Sequence, residues 1–399
     1  MQGGARVLTT KPILEIPSAY RAGYERARLE DQAAADNYVR HTIIGDPQLD
    51  PVMEDIVDLS PPALHLFIHA GIEQQQDQLK RAPKVMRDFF EEIEHPPDWF
   101  DYKACNAGIR AFYANASFVL VAFVAGVLIE GFSSLIATSF NITSRTVTGP
   151  GDRRLRQNNR QLMEIFVPGG LHRYGDGWKL SVRVRFVHAR IRSLLAKAEP
   201  WDAQAWGTPL SAAHLGYAIC VFSIRLVEQA ISVGAKFAKD EVASFLALWR
   251  YVGHLMGIPD SILYADEAQA RHLIRITLMC EPPPGRHSVE MAQAFVHNVP
   301  TVAGIEDPKE ADSVRGLVFR LSRALIGNEL ADALQFPRSN RLGTLYFFRM
   351  KQIITRMLKG TRSAHLADFL QLLDVSQYDD KGMSYVMPDH WHTTKQNPW

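Results

Sequence analysis

Apolar residues recur at i, i+3, i+4 and i+7 along most of this 399-residue chain and almost nowhere alternate. Each segment therefore offers one apolar stripe along a helix, and such stripes can be hidden only by packing helix on helix. The start and stop signals agree with this. Ser60-Pro61-Pro62 precedes ALHLFIHAGIEQQQDQL as a capped opening with proline in the first turn, and Lys84 to Glu94 repeats the spacing before His95-Pro96-Pro97 ends it. Further helices are expected at about 152–166, stopped by Val167-Pro168-Gly169-Gly170, and at 178–198, 211–233, 240–256, 266–279, 312–326 and 341–357. Cys280-Glu281-Pro282-Pro283-Pro284-Gly285 is a firm break. No long Ser/Gly or Pro-rich linker appears. The expectation is an all-α protein: residues 1–45 as an N-terminal extension on its surface, 46–376 as a single helical body, and 377–399 as a polar, aromatic tail without period.

Composition narrows the function. With 47% hydrophobic and 22% charged residues there is material for a large core, and 44 basic against 43 acidic residues leave a net charge of +1, too little to draw the chain to nucleic acid. Three separated cysteines, Cys105, Cys220 and Cys280, form no CxxC pair, which fits a reducing compartment and excludes a disulfide framework. The first 30 residues hold no apolar run of seven, so no secretory signal is read and the expected location is cytoplasmic. Ala111 to Phe140 is almost uncharged, yet Glu130 interrupts it 14 residues after Ala116, short of the ~20 a spanning helix needs. It reads as core, with peripheral membrane contact left open.

Phosphate-cradling loops, an HExxH pair and a GxSxG elbow are all absent. His65 and His69 stand at i and i+4 but have no third ligand nearby, and core or interface histidines explain them better. His390 and His392 lie in the aperiodic tail. The segment that carries chemistry is KLSVRVRFVHARIRSLLAK, 179–197. Val184, His188, Ile191 and Leu195 share one helical face, and Arg183, Arg185, Arg190 and Arg192 bracket the histidine. A neutral imidazole on an apolar face can ligate the iron of a haem, with guanidiniums paired to the propionates. A hydrogen-bonded core histidine among salt-bridged arginines accounts for the same residues.

The run Arg185-Phe186-Val187-His188-Ala189-Arg190-Ile191-Arg192 resembles the haem-ligand helix of the latex clearing protein (rubber oxygenase) and MpaB-type oxygenase family. Three further blocks follow that family's order. They are TSRTVTGPGDRR from Thr143 to Arg154, the Trp206-Gly207-Thr208-Pro209-Leu210 turn, and Trp249-Arg250-Tyr251-Val252-Gly253-His254-Leu255-Met256-Gly257. The resemblance spans about 103–275 and implies a globin-like helical core with additional N- and C-terminal helices. It also implies a noncovalent haem b whose iron is held by His188, with Arg185 and Arg192 at the propionates. Counting back from His188 places Arg154, Gln157 and Asn158 where the family has an Arg-x-x-Lys-Thr run on the distal side. Only the arginine matches, and the family's glutamate base counts back to Thr138. The activity that the resemblance implies is that of an oxygenase using O2 on a hydrophobic, unsaturated isoprenoid or lipid-like substrate. The alternatives are a haem-binding or redox-sensing helical protein without turnover, and a scaffold in which His188 is only core.

Overall fold

The computed structural model describes residues 14–143, 151–339, 343–346 and 348–350, apart from the side chains of 151–154. Among these residues every regular element is helical. The longer helices are α1 (Arg21–Glu30), α2 (Gln32–His41), α3 (Leu49–Asp55), α4 (Pro61–Ile72), α5 (Lys84–Glu92), α6 (Asn106–Ala114) and α7 (Ala116–Gly131). They continue as α8 (Leu135–Thr143), α9 (Gly151–Phe166), α10 (Asp176–Leu195), α11 (Ala212–Val233), α12 (Lys239–Leu255), α13 (Glu267–Cys280), α14 (Arg286–Val302) and α15 (Pro308–Ile326). Most start as the sequence signals require. Ser60 caps α4 through Ala63 N–H with Pro61 in its first turn, Ser211 caps α11 and Asp266 caps α13, while α15 starts four residues before the expected 312, capped by Asp307 with Pro308 in its first turn. The helix expected at 341–357 falls mostly outside the described residues, and the tail 377–399 with His390 and His392 falls wholly outside them. Helices lie where the sequence signals predict none at α1 and α2 within the expected extension, at α3, and at α14, which keeps its helical path through Pro300 near its end.

The uncharged stretch 111–140 is divided by Asn115, where α6 and α7 meet at 85°. Asn115 is buried. Its Nδ2 donates to the carbonyls of Ala111 and Lys236 (2.9 Å each), and its Oδ1 accepts from Lys236 N–H, so one side chain satisfies the backbone groups the bend exposes. Glu130, within this stretch, is a buried acid. Arg225 Nε and Nη2 bind its two oxygens at 2.9 and 3.1 Å, and Gln229 Nε2 adds a bond at 2.7 Å. Both α7 and α11 loosen into a π turn beside this cluster, at Phe123–Val127 and Val221–Arg225. Among the described residues α11 is the one helix long and apolar enough to cross a membrane by length and composition, and 67% of its apolar window is buried within the fold.

Residues 18–41, expected as a surface extension, contribute Tyr20, Ala27, Ala35, Tyr38 and Val39 to the same buried cluster as the central helices. A polar chain fastens them. Ser211 N–H donates to His214 Nδ1, which leaves His214 Nε2–H to donate to Tyr20 Oη at 2.6 Å, and Tyr38 Oη donates to Glu281 Oε1 at 2.5 Å. Tyr20 lies near the Glu281 carboxyl and, with Tyr38, favours its charged form. Burial raises that carboxyl from its ordinary 4.5 to about 7, against the pull of the two tyrosine hydroxyls, while burial lowers His214 to about 3. The folded value of Glu281 lies above the unfolded one. Its contribution to stability is therefore complete below pH ~4.5 and is lost as pH rises through ~7. Replacing it as Glu281→Gln keeps an acceptor for Tyr38 and removes the charge. Between pH 5.5 and 8.5 the thermal midpoint of the parent should fall by about a few degrees more than that of the variant. Parallel pH curves for the two proteins would contradict this origin.

Candidate functional site

Helices α9 and α10 form a hairpin closed by a glycine-rich turn, and the close packing at its base sets their register. A side chain at Gly177 would place its Cβ 2.5 Å from Glu164 O, so these residues meet backbone to backbone. With about 1.5 Å of rise per residue along each antiparallel helix, the first turns of α9, which hold Arg154, Gln157 and Asn158, come level with the 183–188 stretch of α10. The side chain of Arg154 lies outside the described residues. Gln157 is half-buried, and Asn158 has its amide nitrogen buried with no hydrogen-bond partner.

His188 is 6% exposed, its ring set edge-on to Phe140 of α8 at 6.0 Å between centroids. Its Nδ1 is buried and has no hydrogen-bond partner. Burial first, then the positive charge of Arg192, lowers its pKa to about 3, against a smaller opposing effect of Asp46. The imidazole is therefore neutral throughout the physiological range. A neutral, desolvated ring with an unsatisfied nitrogen is what a metal or prosthetic group takes as a ligand, and it is costly if nothing takes it.

Arg185 and Arg192 are at i−3 and i+4 from His188 and share its face of α10. They are not open cations awaiting a cofactor's acids. Arg185 is 1% exposed. It grips Asp46 with Nε and Nη2 (2.5 and 2.8 Å), adds Gln48 Oε1 at 2.6 Å, and lies over the Phe89 ring at 5.0 Å. Arg192 holds Asp50 through Nε and Nη2 (2.7–2.9 Å) and reaches Leu210 O at 3.2 Å. The physical reason is that a guanidinium this deep needs a carboxylate of its own. Burial alone would raise the Asp46 carboxyl, but the hydrogen bonds and charge of Arg185 outweigh it and hold the group below the usual range. Arg183 pairs instead with Glu73 at 3.0 Å, beside Lys179.

The segment that carries these acids is held by the other sequence blocks. Thr208 N–H donates to Thr42 O at 2.9 Å and Ala212 N–H to Ile44 O at 2.7 Å. Gly207 has φ +72° and packs on Thr42 O, and Gly257, which ends the Trp249–Gly257 block, has φ +76°. A Cβ at Gly257 would sit 2.1 Å from Asp46 Oδ2, so a larger residue would displace the pair on steric grounds as well as strain the backbone. Asp46, Gln48 and Asp50 carry no local sequence signal of this role. The signal available is indirect: two arginines on an apolar helical face imply two buried acids somewhere else.

The nearest acids to the distal helix fall into two states. Both oxygens of Glu130 are occupied by Arg225 and Gln229, which leaves it no free position as a base. Glu164 is ion-paired with Arg160, and its pKa is raised by burial and by Asp176. His65 and His69 are exposed on α4, and among the described residues no cluster of three or more His, Cys, Asp or Glu could hold a metal ion. A recess lined by Phe100, Tyr102, Cys105 and His172 has about 40 Å³, room for a water or two, and His188 does not line it.

A helical fold built around this hairpin matches a known class. Residues 110–355 match the family described as ER-bound oxygenase mpaB/B'/Rubber oxygenase, catalytic domain, and the chain belongs to that family. It is similar to the rubber oxygenase of Streptomyces sp. (strain K30), with 24% identity over 309 residues that cover 73% of this chain and 70% of the relative. The solved structure of the latex clearing protein LCP in its closed state shares the fold, with a TM-score of 0.69 at 17% identity over 87% of this chain and 95% of that one. The all-α architecture is thus shared with that neighbour, and a globin-like core is compatible with it.

Removing the Arg185 guanidinium as Arg185→Met would strand a buried carboxylate, and urea unfolding should show a loss of about 3–5 kcal/mol. A loss below about 1 kcal/mol, the level of an exposed pair, would refute the reading of this contact as a buried clamp.

Proposed function

We propose that the chain is a haem b-dependent oxygenase that uses O2 on a hydrophobic unsaturated substrate of isoprenoid or lipid-like type. The observation that carries this reading is the buried, neutral and unpartnered nitrogen of His188 on α10, within the stretch matched to the oxygenase family. The residues present fit the group. His188 would hold the iron, and α8, with Ile136, Ala137 and Phe140, offers the apolar surroundings that suit a macrocycle. When bound, haem supplies the redox chemistry by which O2 attacks a carbon–carbon double bond.

The chain's own groups supply binding and exclusion of water. The Asn158 amide N–H, desolvated and without a partner, can donate a hydrogen bond to a reacting oxygen, and Gln157 is a second amide one residue away. Arg154 would stand at the distal face by its place in α9. Asp46 and Asp50 already occupy Arg185 and Arg192, so propionates would need other partners or would share these guanidiniums.

A second reading, a haem-binding or redox-sensing protein without turnover, draws on the amides at Gln157 and Asn158, on Thr138 in place of a base, and on the occupied carboxylate of Glu130. Absorption of the purified chain after haem supplementation tests the shared premise. A Soret band is expected, and His188→Ala should weaken haem binding by on the order of tenfold or more. A variant that kept the parent's spectrum and affinity would remove His188 from the role. Oxygen uptake and carbonyl products from polyisoprene or short prenylated compounds would then favour the enzyme, and a haem-loaded chain inert to all of them the sensor.

A further inference from the structure

Four charged groups on one side of His188 come from two distant parts of the chain, and the acidic half lies outside residues 110–355, the stretch matched to the oxygenase family. We propose that Asp46 and Asp50 are positioning residues for His188: they hold its helix face in place and cancel the two guanidinium charges behind the imidazole. This rests on the reading of His188 as a haem ligand.

The geometry is that of a clamp. Arg185 and Arg192 flank the histidine by one turn on either side, so fixing both fixes the rotation of α10 about its axis at position 188. The Asp46–Arg185 pair is 1% exposed on both sides and doubly hydrogen-bonded, with no freedom to be replaced by water. The acids also brace each other. Asp50 Oδ2 accepts from Asp46 N–H at 2.8 Å, while Asp46 Oδ1 takes the N–H groups of Gln48 and Leu49 at the start of α3. Gly45 leaves no room for movement toward α10, since a Cβ there would meet Asp50 Oδ2 at 2.1 Å and Arg192 Cδ at 2.9 Å.

Two cations paired with two anions add no net charge beside the imidazole. Losing one carboxylate would leave a buried positive charge there, and a positive charge near ligated iron favours the reduced, less positive state. The consequence is a definite sign: removing either acid raises the reduction potential of the bound haem.

The test uses the full chain loaded with haem, compared as parent, Asp46→Asn and Asp50→Asn. Asparagine keeps the shape and an acceptor for the α3 cap but loses the charge. Spectroelectrochemical titration should place both variants at a higher midpoint potential than the parent, with haem affinity lower by on the order of tenfold. The double variant Asp46→Asn/Arg185→Gln, which removes both charges of one pair, should return toward the parent's potential. If Asp46→Asn fails to fold, Asp50→Asn carries the test, because that carboxylate is 29% exposed and its loss is milder. Haem-loaded variants with the parent's potential overturn this inference alone, and loss of fold in both single variants overturns it in favour of a purely structural role. A parent chain that takes up no haem overturns the haem reading and this inference with it.

Discussion

Burial of two guanidiniums beside one imidazole is the constraint on which the rest of this structure depends. A buried arginine without a partner is among the most costly groups a core can contain. Once Arg185 and Arg192 turn inward with His188, the fold must therefore bring carboxylates to them. It does so with the segment 42–50, and much of the surrounding architecture serves to deliver that segment. The Gly207 turn accepts its backbone, Gly257 leaves space for Asp46, and α1 and α2 carry the chain to the place where the segment starts. The N-terminal helices are thus structurally part of the His188 site.

The same economy of polar groups recurs away from the site. Glu130 with Arg225 and Gln229, Asn115 with Lys236, and Glu281 with Tyr38 each place a polar side chain where helices bend, loosen or dock. Each satisfies backbone or side-chain groups that an apolar contact would leave unpaired. His188 Nδ1 and Asn158 Nδ2 are among the buried polar atoms that lack a hydrogen-bond partner, and both belong to the α9–α10 hairpin.

Where helices begin and end was legible at several local signals, though the Asp31 cap of α2 and the Asp307-Pro308 start of α15 went unread. Ser60, Ser211, Asp266 and the Cys280–Gly285 break act within a turn of chain, and their effects appear in the structure. The burial of His188 was legible too, since a stripe of Val184, Ile191 and Leu195 fixes which face is inward. What could not be read depends on contacts between distant residues. GDPQLD looks like an ordinary turn until Arg185 and Arg192 are placed over it, and the arginines alone pointed equally well to a cofactor's acids. Helix α14 was hidden by Pro300, which would break a longer helix but falls in the last turn of this one. Helices α1 and α2 were hidden by a mostly polar composition whose few buried residues, such as Tyr20 and Tyr38, are large enough to anchor them.

The separation of Asp46 from Arg185, 139 residues along the chain, has a meaning in time. A ribosome adding roughly 5–20 residues each second needs about 7–28 s to pass from one to the other. Through that interval the acidic segment lacks its native partner Arg185, and the same holds for Glu130 until Arg225 is made 95 residues later. The first of these ionic locks can close only after 184 residues have been made and the second only after 224, so the N-terminal helices must wait, unfinished, for the segment that completes them.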